Sequence, residues 1–295
     1  MREKILVWIL LLISQFTFSQ IKGVVKDSLT GNPIPFVNIW VENENIGTTS
    51  EEDGTFEIKT SEKSKNLIFS TIGFETKRYA IDNLSTIVLK PTVYQLEDVV
   101  IFKLKNTKQI EIGDSKKRFY LPEPQNSPWI LARKINFDES NSDARFLKTL
   151  IYYTKSELDS AKFRVRVFSV SKKDLPDEDL LSKEIIVQVK KGRHKTEVDM
   201  STYKIEVPKE GIIVGFESLL IEENRYKEKF GIQNSKKTVK IDNYDPHILY
   251  QYINSESSYT FGKGRWIKQQ MYMNREWHKN KTVIAPVIKA VLTNK

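Results

Sequence analysis

From residue 20 onward the chain alternates apolar and polar positions with a period of two. In "PFVNIWVE" Val37, Ile39 and Val41 fall on one side of an extended segment, with Asn38, Trp40 and Glu42 on the other. "GTFEIKT" repeats the pattern with Phe56 and Ile58 against Glu57 and Lys59. Such alternation marks strands with one buried face. Further strands are expected at 21–26, 66–72, 74–81, 85–90 and 94–102, which makes seven between residues 20 and 102, the signature of a small β-sandwich. From about residue 129 the period continues. "KFRVRVFSV" sets Phe163, Val165 and Val167 opposite Arg164, Arg166 and Phe168, and "EIIVQVK", "GIIVGFESLLI", "HILYQYI" and "TVIAPVIKAVL" follow. About nine strands with no sustained helical period predict a second, larger sandwich or jelly roll over 129–295. Residues 103–128 carry little periodicity and read as a linker with room for one edge strand.

The breaks between strands are turn chemistry: "DSLTGNPIP" at 27–35, "NENIGTTS" at 43–50 and "EEDG" at 51–54. The last combines three acids with a glycine, which raises the question of a calcium loop. Placing Gly54 at the glycine of an EF-hand puts Thr49 and Thr60 where the first and last carboxylate ligands belong, so the calcium reading fails. Asp53–Gly54 between alternating runs instead predicts a hairpin turn, with the acids solvated.

Composition changes this picture at three points. The opening "MREKILVWILLLISQFTFSQ" joins Arg2 and Lys4 to a short apolar run and small residues, which predicts an export signal over residues 1–19. No later stretch is apolar for the roughly 20 residues a membrane-spanning helix needs. The chain has no cysteine, which excludes disulfides, zinc–thiolate sites and thiol nucleophiles. Charge is uneven: residues 20–100 hold 8 basic and 12 acidic side chains, whereas residues 101–295 hold 37 and 25, a contrast that supports two units.

Several motifs in the first unit act together. "IKGVVKDSLTGNPIPFVNIWVENENIGTTSEEDGTFEI", then "LIFSTIGFETK", "TIVLKP" and "YQLEDVVI", resemble the carboxypeptidase-regulatory-like domain over residues 20–102. The resemblance implies a transthyretin-like Greek-key sandwich without catalytic residues, a module common in exported proteins of the Bacteroidota and ahead of the plug of their outer-membrane nutrient receptors. The 193 residues beyond Phe102 are too few for a receptor barrel of about twenty strands, so transport by this chain alone is not expected. The stretch from Arg164 to Glu217 resembles an uncharacterised jelly-roll-type domain that brings no activity with it.

Candidate chemistry is sparse. "HKTE" at 194–197 has the H-x-x-E spacing of a zinc site, but residues three apart on a strand face opposite ways, so His194 and Glu197 are not expected to share a metal. His247 or His278 would have to supply a third ligand. Ser218 in "GFES" lacks the second glycine of a nucleophile elbow. "FGKGRW" at 261–266 has two glycines and two cations but no following helix, and reads as a hairpin turn. A dense aromatic stretch spans 244–278, where Tyr259, Trp266, Tyr272 and Trp277 are candidate platforms for sugar rings, with cations nearby favouring acidic glycans. The alternative is that these rings fill the core and pair across strands. The same mixture suits single-stranded nucleic acid, but export and the absence of a dense basic stripe exclude that partner. Ser28 in "DSL" and Ser160 in "DSA" match a short O-glycosylation acceptor. With a hydrolase of undetected type as the least favoured alternative, the sequence therefore predicts an exported, all-β, non-enzymatic binding or scaffolding protein of the periplasm or cell surface. It needs no metal or cofactor, and its partner is an envelope protein or a surface glycan.

Overall fold

The computed structural model describes residues 19–60, 66–81, 84–92, 107–113, 129–137, 143–231, 238–255, 257–270 and 282–294. Most of the proposed leader and linker, and the expected strand at 94–102, lie outside these residues. What is described is nearly all β.

The first unit holds seven strands: β1 (Ser19–Asp27), β2 (Asn38–Val41), β3 (Gly47–Thr49), β4 (Thr55–Thr60), β5 (Asn66–Ser70), β6 (Lys77–Ala80) and β7 (Thr86–Leu89). They form two sheets, ordered β4-β1-β7 and β3-β2-β5-β6, in which only the β1–β7 pairing is parallel. The inward positions predicted by alternation, Val37, Ile39, Val41, Phe56 and Ile58, all lie in the shared core. Rings reinforce it, with Phe56 and Tyr79 each meeting Phe69 edge-on at 5.5 and 5.7 Å between centroids.

Turn chemistry at 51–54 was legible, but the connection is not a hairpin. β3 pairs with β2 and β4 pairs with β1, so this bend carries the chain from one sheet to the other. Gly54 adopts φ +76°, and a Cβ there would stand 2.8 Å from Pro33 Cβ and 2.9 Å from the Val25 carbonyl. Glycine is required both for the left-handed backbone and for this close approach. Asp53 accepts from the amide and hydroxyl of Thr55 at 2.9 and 2.6 Å, closing the bend on itself.

β8 (Gln109–Ile112) lies within the stretch read as a linker and forms an edge strand of the second unit. That unit continues with β9 (Ile130–Ile135), β10 (Ala144–Ser156), β11 (Ala161–Val170), β12 (Pro176–Asp179), β13 (Ile185–Val189), β14 (Gly192–Asp199) and β15 (Ile212–Ser218). Then come β16 (Arg225–Gly231), β17 (Thr238–Tyr244), β18 (His247–Ile248), β19 (Tyr250–Ile253), β20 (Ser258–Gly262), β21 (Arg265–Lys268), β22 (Val283–Pro286) and β23 (Ile288–Asn294). The strands outnumber the nine expected because the chain after Asn224 is cut into short ribbons, β16–β17, β19–β22 and β20–β21, which a period-two pattern reads as longer runs.

The body is a sandwich. One sheet runs β14-β10-β23-β8, with β18 also on β10; the other runs β12-β11-β15-β9-β20-β21, with β13 also on β11. Between them lies the larger core, to which β10 gives Leu147, Leu150 and Tyr152, β11 gives Phe163, Val165 and Val167, and β23 gives Ile288, Ala290 and Leu292. Phe163 stacks on Phe216 at 4.6 Å and meets Tyr152 at 5.1 Å.

The two units are not separated by solvent. Ile72 of the first packs into the core of the second, and Phe36 joins Leu219 and Ile221 in a shared apolar cluster.

Candidate functional site

The most heavily built polar feature of the described chain lies where the units meet. β11 turns Phe163, Val165 and Val167 into the sandwich, so Arg164 and Arg166 emerge on its outer face, which the first unit covers. Arg164 is fully buried. Its guanidinium donates to the Phe36 carbonyl and to Glu217 Oε2 at 3.1 Å, and it pairs with Glu184 at 2.9 Å; its Nε has no partner among the described residues. Glu217 stands opposite Arg164 on β15 and is also fully buried. It accepts from Asn38 Nδ2 and, at 3.0 Å on each oxygen, from Arg166. Arg166 Nε donates to Asp179 at 2.6 Å. Across the same junction Thr71 donates to Glu184 at 2.6 Å, and the Leu220 amide donates to Thr49 Oγ1 at 3.0 Å.

Local backbone serves this network. Phe36 is a bulky residue held at φ +54°, a conformation that costs about 1–2 kcal/mol in an L-residue. It keeps its ring in the shared apolar cluster while its carbonyl meets Arg164. Gly215 leaves room for Arg166, whose Cβ would lie 3.1 Å from a Cβ placed there.

The acidic bend also belongs to the junction. Glu51 accepts from the Glu222 amide at 2.9 Å, and Glu52 lies 3.7 Å from Lys162. The expectation of a wholly solvated cluster is corrected: the sheet crossing aims Glu51 and Glu52 at the second unit, and burial raises the Glu51 carboxyl above its ordinary value.

Burial opposes ionisation of Glu217, but Arg166 and Arg164 outweigh it and hold the carboxyl below its usual range. A carboxylate depressed in the folded state contributes stability above its unfolded value of about 4.3, lost as pH falls through the lower folded value. Asp179 and Asp245 act with the opposite sign. Burial raises both, so the cost of their ionised forms is relieved on acidification. The Glu217 component is therefore isolated by comparison: between pH 7 and pH 3 the thermal midpoint of Glu217→Gln is expected to fall less than that of the parent. Parallel curves by circular dichroism would contradict the assignment.

A second cluster gathers residues of catalytic type. Asp245 is buried and accepts from Ser156 Oγ at 3.1 Å and from the amides of Glu157 and Leu158 at 2.5 and 3.2 Å. His247 Nε2 lies 3.6 Å from its other oxygen and 3.2 Å from Tyr226 Oη. A nucleophilic relay requires serine on histidine and histidine on the acid. Here the serine contacts the acid, so the arrangement ties down the turn at 156–158.

Beside the junction the β20–β21 hairpin reaches the first unit. Lys263 and Gly264 both have positive φ, as a two-residue hairpin turn demands, so "FGKGRW" is the turn expected of it. Phe261 meets Trp40 edge-on at 6.0 Å, and a Cβ at Gly264 would stand 3.1 Å from Trp40 Nε1. Next to this contact opens a cleft of about 420 Å³, whose lining includes Trp129, Tyr250 and Phe261 from the second unit and Asn45 from the first.

The residues singled out in the sequence are dispersed. Tyr259 is withdrawn as a sugar platform: it is fully buried, packed with Ile130, Ala132, Phe168 and Ile213, and its hydroxyl donates to Asp174 at 3.3 Å. Trp266 is half-buried, held edge-on by Phe168 and Phe261 at 5.2 and 5.3 Å. Tyr272, Trp277 and His278 lie outside the described residues. His194 and Glu197 both sit within β14. They occupy opposite faces, His194 bonded to the Lys191 carbonyl at 2.8 Å and Glu197 paired with Lys195 at 2.6 Å. No group of three His, Cys, Asp or Glu among the described residues could hold a metal. Ser28 is exposed beside Leu29, while Ser160 donates to Glu223 Oε1 at 3.0 Å.

Sequence reasoning missed the Arg164–Glu217 network, although one signal for it was present. Glu217 is the one charged residue between Ile212 and Ile221, a run that is apolar but for it and Ser218, and a lone acid there has to find a buried cation.

Comparison with known proteins places the first unit. Residues 21–101 match the model of the CarboxypepD_reg-like domain. A stretch of 119 residues, 38% of the chain, is 30% identical to TonB-dependent receptor P3 of Formosa agariphila. Another of 95 residues, 32% of the chain, is 26% identical to TonB-dependent receptor SusC of Bacteroides thetaiotaomicron. These matches span 12% and 9% of the two receptors. Among the described residues no helix is long and apolar enough to cross a membrane.

Proposed function

We propose that this chain is an envelope-associated, non-enzymatic binding or scaffolding protein whose two sandwiches act as one body. The observation that carries the reading is the buried Arg164–Glu217–Asn38 junction, which joins the CarboxypepD_reg-like domain to the second sandwich through charges that have no solvent to fall back on. Flexibly tethered modules meet through small, more polar surfaces and move relative to one another. A clamp of this kind suits a part that must present a surface at a fixed angle. The similarity to TonB-dependent receptors supports an envelope setting and a receptor or surface complex as the partner. The glycan reading, with Tyr259 withdrawn, has only Trp266 left among the described residues, and two neighbouring rings pack its edges.

Affinity capture of the full chain from its own cell envelope, with cross-linking and mass spectrometry, tests this. Recovery of one outer-membrane receptor or surface complex, reduced when Arg164→Ala loosens the junction, is the expected result. Recovery of polysaccharide alone would replace a protein partner with a glycan.

A further inference from the structure

The 420 Å³ cleft beside the β20–β21 hairpin has the size and composition of a ligand site, apolar walls with a few convergent polar groups. Two features set it apart from an ordinary crevice. Six large apolar side chains of the described residues are conspicuously exposed, and two of them, Ile267 at 46% and Ile284 at 36%, line this one cleft. Scattered exposed apolar residues need no explanation, but a pair facing the same concavity does. The Lys263 and Arg265 side chains line it as well, both exposed, and neither side chain has an ion-pair or hydrogen-bond partner among the described residues. Among the described residues no acidic side chain is part of the lining.

We propose that this cleft binds a compact amphiphilic anion: a carboxylate head between Lys263 and Arg265, and an apolar body against Ile267, Ile284 and the Phe261 ring. Burial of the apolar body supplies affinity in proportion to the area it covers, and the two cations supply orientation and salt dependence. An acyl chain satisfies both halves of the site. An acidic sugar satisfies only the charged half, because its hydroxyls would lose water against isoleucine without regaining hydrogen bonds.

Dodecanoate titrated calorimetrically into the full chain, below its micelle concentration and at low salt, is expected to bind at one site and to weaken as salt is raised. Lys263→Asn together with Arg265→Gln should weaken it roughly tenfold by removing the charge pairing. Asparagine tolerates the positive φ at 263, so the turn survives. Ile267→Thr with Ile284→Thr should cost a similar factor, and glucuronate should give no measurable binding. All four positions are exposed, so these variants fold. No dodecanoate binding, unchanged affinity in either double variant, or glucuronate binding as tightly as dodecanoate would each overturn the proposal.

Discussion

Replacing Arg164 with alanine is expected to lower the unfolding free energy by about 3–5 kcal/mol, the cost of breaking a buried ion pair by removing one partner. The change does not delete a favourable contact so much as strand its neighbours. Glu217 would remain buried with Arg166 as its remaining cation, and the Phe36 carbonyl and Glu184 would each lose a donor. Because the lost groups belong to both units, the loss is also expected to change cooperativity. The parent should unfold in urea in one transition, and Arg164→Ala in two, with the first unit releasing before the second. Tryptophan fluorescence and far-ultraviolet circular dichroism followed together would show this as non-coincident curves. A single coincident transition with an unchanged midpoint would remove the clamp from the account. An Arg164→Met, Glu217→Leu double variant offers a sharper check, since replacing both buried charges with apolar groups of similar volume is far less costly than removing one.

Phe163→Ala should cost a similar amount, about 3–5 kcal/mol, by a different route. Phe163 has no exposed surface and is held between Phe216 and Tyr152 in the centre of the larger core. Truncation removes the ring stacking and leaves a void that β-sheet walls on both sides cannot close. Here both spectroscopic probes are expected to shift together, because the damage is confined to the second sandwich while the junction stays intact. Phe163→Leu, which refills most of the void, should recover more than half of the loss. A midpoint for Phe163→Ala within experimental error of the parent would show that the core relaxes freely.

β4 was legible because it has one wet face, so alternation reports burial directly, with Phe56 and Ile58 buried against Glu57 and Lys59, whereas β3 lies inside the 43–50 stretch read as a turn. That logic fails where both faces are covered. "RVRVF" looks like a half-solvated strand, yet Arg164 is as buried as Phe163, because what covers it comes from residues 36–38 and no local pattern encodes that contact. The bend at Asp53–Gly54 was legible as a bend through its glycine. Which strands it joins was not, since pairing partners are chosen by the whole sheet. The aromatic stretch failed for a related reason. Alternation separates Tyr259 from Thr260 without saying which of the two faces inward, and Tyr259 is the one that does. The cleft was invisible for a further reason, as Trp129 and Ile284 lie far apart in the chain and meet only through the folding of β9 and β22.

The strained carbonyl at Phe36 has a consequence for how such a domain travels between genes. Its hydrogen-bond donor is encoded 128 residues downstream. A module of this type can be transplanted only while it completes its own backbone, and this copy does not. Cut out and expressed alone, it would present a bare peptide oxygen and an aromatic ring to water, and a chimera that kept the first sandwich but exchanged the second would inherit a socket without its plug.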